Sequence, residues 1–250
     1  ISAVVLKETP SFWIAMGTVL GASLVVGTIA GFIANRVRGV YFALVTFGLA
    51  QVAARAVYNT RALGASDGLI GVPIVPINLG VGTIMSNAPA AFFIFTLAFI
   101  VVLYLISAYL LDTPFGRILV ALRANERRVP FLGYSTRNAR VAAYVLAAVV
   151  ASLSGALYPM LRGFVSPELM FFATSGNAVI TVVTGGVGTL AGALYGGVIL
   201  TVLKSVIGSM TEHHLIVIGL LFMAIVIFLP KGLMGLVRPR IERMLGGGGQ

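Results

Sequence analysis

The chain carries several uninterrupted apolar runs, each about as long as a bilayer is thick. Phe12 to Ala34 holds no charged residue at all. A helix needs about 20 such residues to cross the hydrocarbon core. Ala88 to Leu111 is of the same kind, Ala139 to Leu161 is apolar between Arg140 and Arg162, and Gly39 to Asn59 joins them with Gln51 and Arg55 inside. Phe171 to Val183 is apolar but short, Leu190 to Ile207 is just long enough, and Leu215 to Leu229 stops at Pro230 and Lys231. The expectation is an all-α, polytopic membrane protein with about seven crossings, the short ones broken or re-entrant. Irregular backbone at that depth requires protein or a water-filled path around it.

Composition agrees. Of 250 residues, 59% are hydrophobic and 10% charged, with a mean hydropathy of +1.05. A soluble domain of this size carries roughly 25% charged residues, so most of this surface faces lipid. The absence of cysteine excludes disulfides, thiolate metal sites and cysteine nucleophiles. The chain begins at Ile1, with no signal-peptide pattern, and one or more preceding spans are expected.

The net charge of +10 raises nucleic acid as a partner, but the basic residues sort by side of the membrane. With the loop Asp112 to Asn138 in the cytoplasm, twelve of the seventeen fall on that side: Arg36, Arg38, Arg117, Arg123, Arg127, Arg128, Arg137, Arg140, Lys231, Arg238, Arg240 and Arg243. Lys7, Arg61 and Arg162 lie opposite, and Arg55 and Lys204 lie in or near spans. That is the positive-inside bias, and it accounts for the charge without nucleic acid.

The loop itself is informative. Thr113-Pro114 suits a helix start, because proline is welcome in the first turn. Phe115 to Arg128 then has helical periodicity, with Ile118, Leu119 and Leu122 on one side, and Pro130 is expected to break it, with Gly133 in a turn. On physics alone this is either an amphipathic helix on anionic lipid or a docking element for a cytoplasmic partner.

The stretch from Thr113 to Tyr158, TPFGRILVALRANERRVPFLGYSTRNARVAAYVLAAVVASLSGALY, resembles the permease subunits of branched-chain amino-acid ABC importers. Similar strings are RGVYFALVTFGLAQ from Arg38, GASDGLIGVP from Gly64, TSGNAVITVVTGGVGTLAGALYGG from Thr174 and FLPKGLMGLV from Phe228. Of the two related permeases in such importers, the chain is more similar to the one usually labelled M. A glycine-rich, Ser-Leu-Gly-His-Ala-like stretch usual on the family's early spans has no counterpart here.

The resemblance implies the importer permease fold over 1–250, a coupling loop at 112–138 and a cytoplasmic tail at 238–250. It implies that Arg117, Arg123, Glu126, Arg127, Phe131, Leu132 and Gly133 meet an ATPase subunit. It further implies a sister permease, two cytoplasmic ATPases that hold ATP and Mg, an outside solute-binding protein and a prokaryotic inner membrane. The substrate implied is a branched-chain amino acid, with urea or short amides as the alternative. A secondary transporter or channel independent of ATP is the rival class.

Other residues carry weaker signals. No G-x-x-x-x-G-K-[ST] string is present, so phosphate cradling by a P-loop is expected on another chain. This chain is read as a transporter subunit rather than an enzyme, with no cofactor or metal of its own. Gly188, Gly192 and Gly196 recur every four residues, as Gly17 with Gly21 and Gly27 with Gly31 do, and are expected to form smooth helix-packing stripes. Thr46, Gln51 and Arg55 on the second span are candidates for the translocation path, although Arg55 near a helix end also suits snorkelling to headgroups. Glu212-His213-His214 is read as an interfacial loop, because adjacent histidines point apart on a helix.

Overall fold

A computed structural model describes residues 1–73, 75–78, 83–84, 89–210, 216–217, 219–220 and 222–223. Its principal helices are α1 (Ser2–Glu8), α2 (Phe12–Ala34), α3 (Val40–Asn59), α4 (Pro89–Asp112), α5 (Pro114–Ala124), α6 (Thr136–Arg162), α7 (Phe172–Gly185) and α8 (Leu190–Met210). Five of these are long and apolar enough to cross a membrane among the described residues: α2, α3, most of α4, α6 and most of α8. The expected crossing Leu215 to Leu229 lies largely outside the described residues, as do Glu212-His213-His214 and the tail 238–250. Helix α7 has 14 residues, about 21 Å at the α-helical rise and short of a core about 30 Å thick.

The chain divides into two compact units, 1–171 and 172–250. In the first, α2 and α6 are the most extensively packed pair. Glycines permit the approach: a methyl group on Gly27 would sit 3.1 Å from the Ala148 Cβ, and one on Gly31 would sit 3.2 Å from the Tyr144 ring. Gly17 and Gly21 face open space instead. Toward the start of α2 a hydrophobic core gathers Leu6 of α1, Phe12, Ala15 and Met16 of α2, Phe92 and Phe95 of α4, and Leu157 and Met160 of α6. Phe12 and Phe95 meet edge to face at 5.6 Å between ring centres, a favoured aromatic geometry.

The link after α3 packs beside the C-terminal end of α6. Strand β1 (Leu69–Ile70) pairs antiparallel with β4 (Phe164–Val165). The Val72 amide donates to the Gly163 carbonyl at 2.9 Å. Gly68, at φ +74°, lies so close to the Val165 carbonyl that a side chain would clash. A second pair, β2 (Ile77–Asn78) with β3 (Thr83–Ile84), is also antiparallel.

In the second unit α7 and α8 form a close hairpin. The structure differs here from the expected stripe. Gly188 is outside α8, in the turn between the helices, at φ +100°. The Thr189 hydroxyl accepts from the Gly192 amide at 3.1 Å and so caps the start of α8. Gly185 takes the packing role, since a Cβ there would collide with the Gly192 carbonyl and lie 3.0 Å from the Gly196 Cα. Lys204 donates to the Asn177 side-chain oxygen at 3.1 Å, joining the same two helices.

Candidate functional site

The loop between α4 and α6 is a built structure rather than a slack connector. Thr113 precedes α5 and Pro114 occupies its first turn. The Thr113 hydroxyl donates back to the Leu110 carbonyl at 2.6 Å. Gly116 is buried in the corner, where any side chain would meet the Leu111 backbone. Helix α5 therefore leaves α4 at a fixed corner. An isolated helix of its 11 residues is marginal in water, so its half-buried side, Ile118, Leu119 and Leu122, holds it in place.

The helix ends four residues earlier than its periodicity suggests. Asn125 is extended, at φ −159° and ψ 99°, and its side-chain oxygen accepts from the Arg127 amide at 3.0 Å. This is the local competition with helix that asparagine offers. Pro130 does not break a helix. It sits in the 3-10 turn Val129–Leu132, closed by Gly133 at φ +81°.

Two anchors fix this loop. Val129 is 2% exposed. The Glu126 carboxylate faces inward, with Oε1 3.2 Å from Arg140 Nη1 on α6 and 3.5 Å from Arg38 Nε in the link between α2 and α3. That oxygen is buried without an aligned hydrogen bond, so the tie is ionic. It joins three segments far apart in sequence. Glu126, expected among the outward polar contacts, thus has its partners within the chain.

Between the anchors and α6 the loop turns its apolar residues outward. Phe131 is 90% exposed and Leu132 68%, while Arg117, Arg123 and Arg127 are also exposed. Ser135 then starts α6, its hydroxyl accepting from the Asn138 amide at 3.4 Å. Sequence reasoning missed Arg38 and Arg140 as partners of Glu126, because it counted them only as charges on one side. Gly116 carried a signal that went unused, a glycine where helix was expected.

The three candidates on α3 line neither of the two cavities described below. The Thr46 hydroxyl turns back to the Phe42 and Ala43 carbonyls, both at 2.9 Å. Gln51 is half-buried and Arg55 exposed. Arg55 lies one turn before the end of α3. Two cavities occur elsewhere in the first unit. One, of about 430 Å³, runs along α4 and α6 beside Phe92, Thr96, Phe99, Leu103, Leu157 and Tyr158. The other, of about 410 Å³, is lined by Asn35, Arg36, Arg38, Thr136, Arg137 and Arg140. Among the described residues no group of three or more His, Cys, Asp or Glu is arranged to hold a metal.

Comparison with known proteins adds a family. The profile described as branched-chain amino acid transport system, permease component, matches residues 1–226. The high-affinity branched-chain amino acid transport system permease protein LivM of Salmonella typhimurium is 28% identical over 94% of this chain and 60% of its own length. LivM of Escherichia coli K12 is 27% identical over 92% of this chain and 59% of its own. The permease protein LivH of Salmonella typhimurium is 28% identical over 52% of this chain and 42% of its own. The chain therefore spans about 60% of the length of the LivM proteins it matches. No solved structure matches.

Proposed function

The chain belongs to the branched-chain amino acid transport permease family, and from that premise we propose that it is the membrane-spanning subunit of an ATP-driven importer. ATP hydrolysis would reside on two separate cytoplasmic chains, and a sister permease would complete the path across a prokaryotic inner membrane. An outside binding protein would deliver the solute, a branched-chain amino acid.

One observation carries this reading. The loop between α4 and α6 is anchored by Val129 and Glu126 yet presents Phe131 and Leu132 to the exterior. Holding large apolar side chains in water is costly unless a partner covers them. The exposed Arg117, Arg123 and Arg127 give that surface a polar rim, and the turn at Gly133 sets its shape.

Within this proposal Glu126 is a positioning residue. A push on the tip reaches α4 through the corner at Gly116 and reaches α6 and the α2–α3 link through the ionic tie. For ATP to drive transport, its binding must favour one arrangement of these helices over the other by a differential free energy. The exposed faces of α3, on which only Ala54 is fully buried, support a sister subunit in contact there. Gln51 and Thr46 belong to the path in this reading, while Arg55 reaches the headgroups.

The test is uptake by proteoliposomes containing the whole assembly. Labelled leucine should accumulate with ATP inside and be displaced by isoleucine and valine. Displacement by urea or short amides, with the branched-chain acids inactive, would reassign the substrate. Accumulation independent of ATP would reject the importer class.

A further inference from the structure

The basic cleft of about 410 Å³ is not used by the transport reading. Its walls come from the end of α2 and the start of α6: Asn35, Arg36, Arg38, Thr136, Arg137 and Arg140. All four of its cationic side chains are guanidinium groups, whose planar forks match phosphate oxygens. Only one carboxylate reaches them among the described residues. Glu126 pairs with Arg38 and Arg140, and Arg36 and Arg137 have no acidic partner among the described residues. The Arg140 Nε is buried and has no hydrogen-bond partner. The first turn of the 27-residue α6 adds the partial positive charge of a helix N-terminus, although Ser135 already caps the Asn138 amide there.

Four guanidinium groups against one carboxylate leave the cleft with a net positive charge that suits an anion, and Arg36 and Arg137 are exposed to one. The surroundings indicate which one. The cleft lies where α2 ends and α6 begins, both long enough to span, so it sits at the depth of the headgroups. Phe32 and Ile33, one turn before it on α2, are exposed and flank it with apolar surface. The Arg137 guanidinium stands over the Phe32 ring at 5.8 Å, a cation–π contact that holds it at that boundary. A phosphate with acyl chains attached satisfies both the cations and the apolar flank, whereas free phosphate satisfies only the cations.

We propose that this cleft binds the phosphate of an anionic phospholipid headgroup, with Arg36 and Arg137 as its principal contacts. The proposal rests on the packing of α2 against α6 and not on what the protein transports. The positive-inside orientation enters only in choosing the cytoplasmic leaflet.

Native mass spectrometry of the full chain in detergent tests it, with three probes: dioctanoyl phosphatidylglycerol, dioctanoyl phosphatidylcholine and inorganic phosphate. Phosphatidylglycerol should bind at least tenfold tighter than phosphatidylcholine, and millimolar phosphate should not displace it. Arg36→Gln with Arg137→Gln should weaken phosphatidylglycerol about tenfold, and Arg36→Lys with Arg137→Lys, which keeps the charge but not the planar fork, should recover only part of that loss. The matched charge removal Arg61→Gln with Arg162→Gln, away from the cleft, should leave its affinity unchanged. Equal affinity for the two lipids overturns the proposal, as does an unchanged affinity in the cleft glutamine variant. An equal loss in the Arg61/Arg162 variant overturns it by showing a charge effect without a site. Displacement by micromolar phosphate overturns the lipid assignment in favour of the free anion.

Discussion

At the scale of single residues, the loop between α4 and α6 depends on two side-chain facts, one steric and one ionic. Gly116 occupies a corner in which a methyl group would press on the Leu111 backbone. Overpacking of this kind costs about 1–3 kcal/mol. Gly116→Ala should therefore lower the thermal unfolding midpoint in detergent, and an unchanged midpoint would show that the corner is open. Glu126 lies between Arg38 and Arg140, itself one-third exposed, with Arg38 two-thirds exposed. Solvent screening limits such a tie to the order of 1 kcal/mol. A double-mutant cycle on Glu126→Gln and Arg140→Gln should give a coupling energy of about that size. Strict additivity would mean that the pair is incidental.

These residues also mark the boundary of what the sequence discloses. Glycine at position 116 was legible as a departure from helix propensity, but its neighbour Leu111 was not. The charges of Arg38 and Arg140 were legible as a bias toward one side. Their meeting with Glu126 was not, because it joins residues up to 102 positions apart (140 − 38) and no local pattern encodes it.

Among elements, the long spans were the most legible. Lipid imposes apolar composition over about 20 residues, and α2, α4 and α6 follow their apolar runs to within a few positions. The start of α5 was read well because one residue, Pro114, decides it. The end of α5 was misjudged because Asn125 halts the helix with its own side chain, which periodicity does not register. The stripe on α8 was misjudged at Gly188 because a four-residue spacing looks the same whether its first member is helical or in a turn. The α7–α8 hairpin yields its own prediction. Gly185 touches backbone where Gly21 faces open space. Gly185→Ala should lower thermal stability measurably, and Gly21→Ala should change it by less than about 0.5 kcal/mol. Equal effects would contradict the close packing of α7 on α8.

At the scale of the whole molecule, orientation ties the parts together. A polytopic helical protein inserts according to its basic loops, and here the loop of α5 carries the largest internal share of them. The chain has no native cysteine, so single-cysteine variants report topology without interference. Arg123→Cys should react with an impermeant maleimide only from the cytoplasmic side, and Arg61→Cys only from outside. The reverse pattern would invert the fold in the membrane and place the loop between α4 and α6 out of reach of any cytoplasmic ATPase.

The central claim is that the exposed tip of that loop is gripped by a separate ATP-hydrolysing chain. It is tested most directly by placing a photo-crosslinking amino acid at Phe131 in the assembled, membrane-embedded importer. The account predicts a single major adduct with the ATPase subunit, whose yield changes when ATP binds. An adduct with lipid alone, alongside intact ATP-driven uptake, would contradict it.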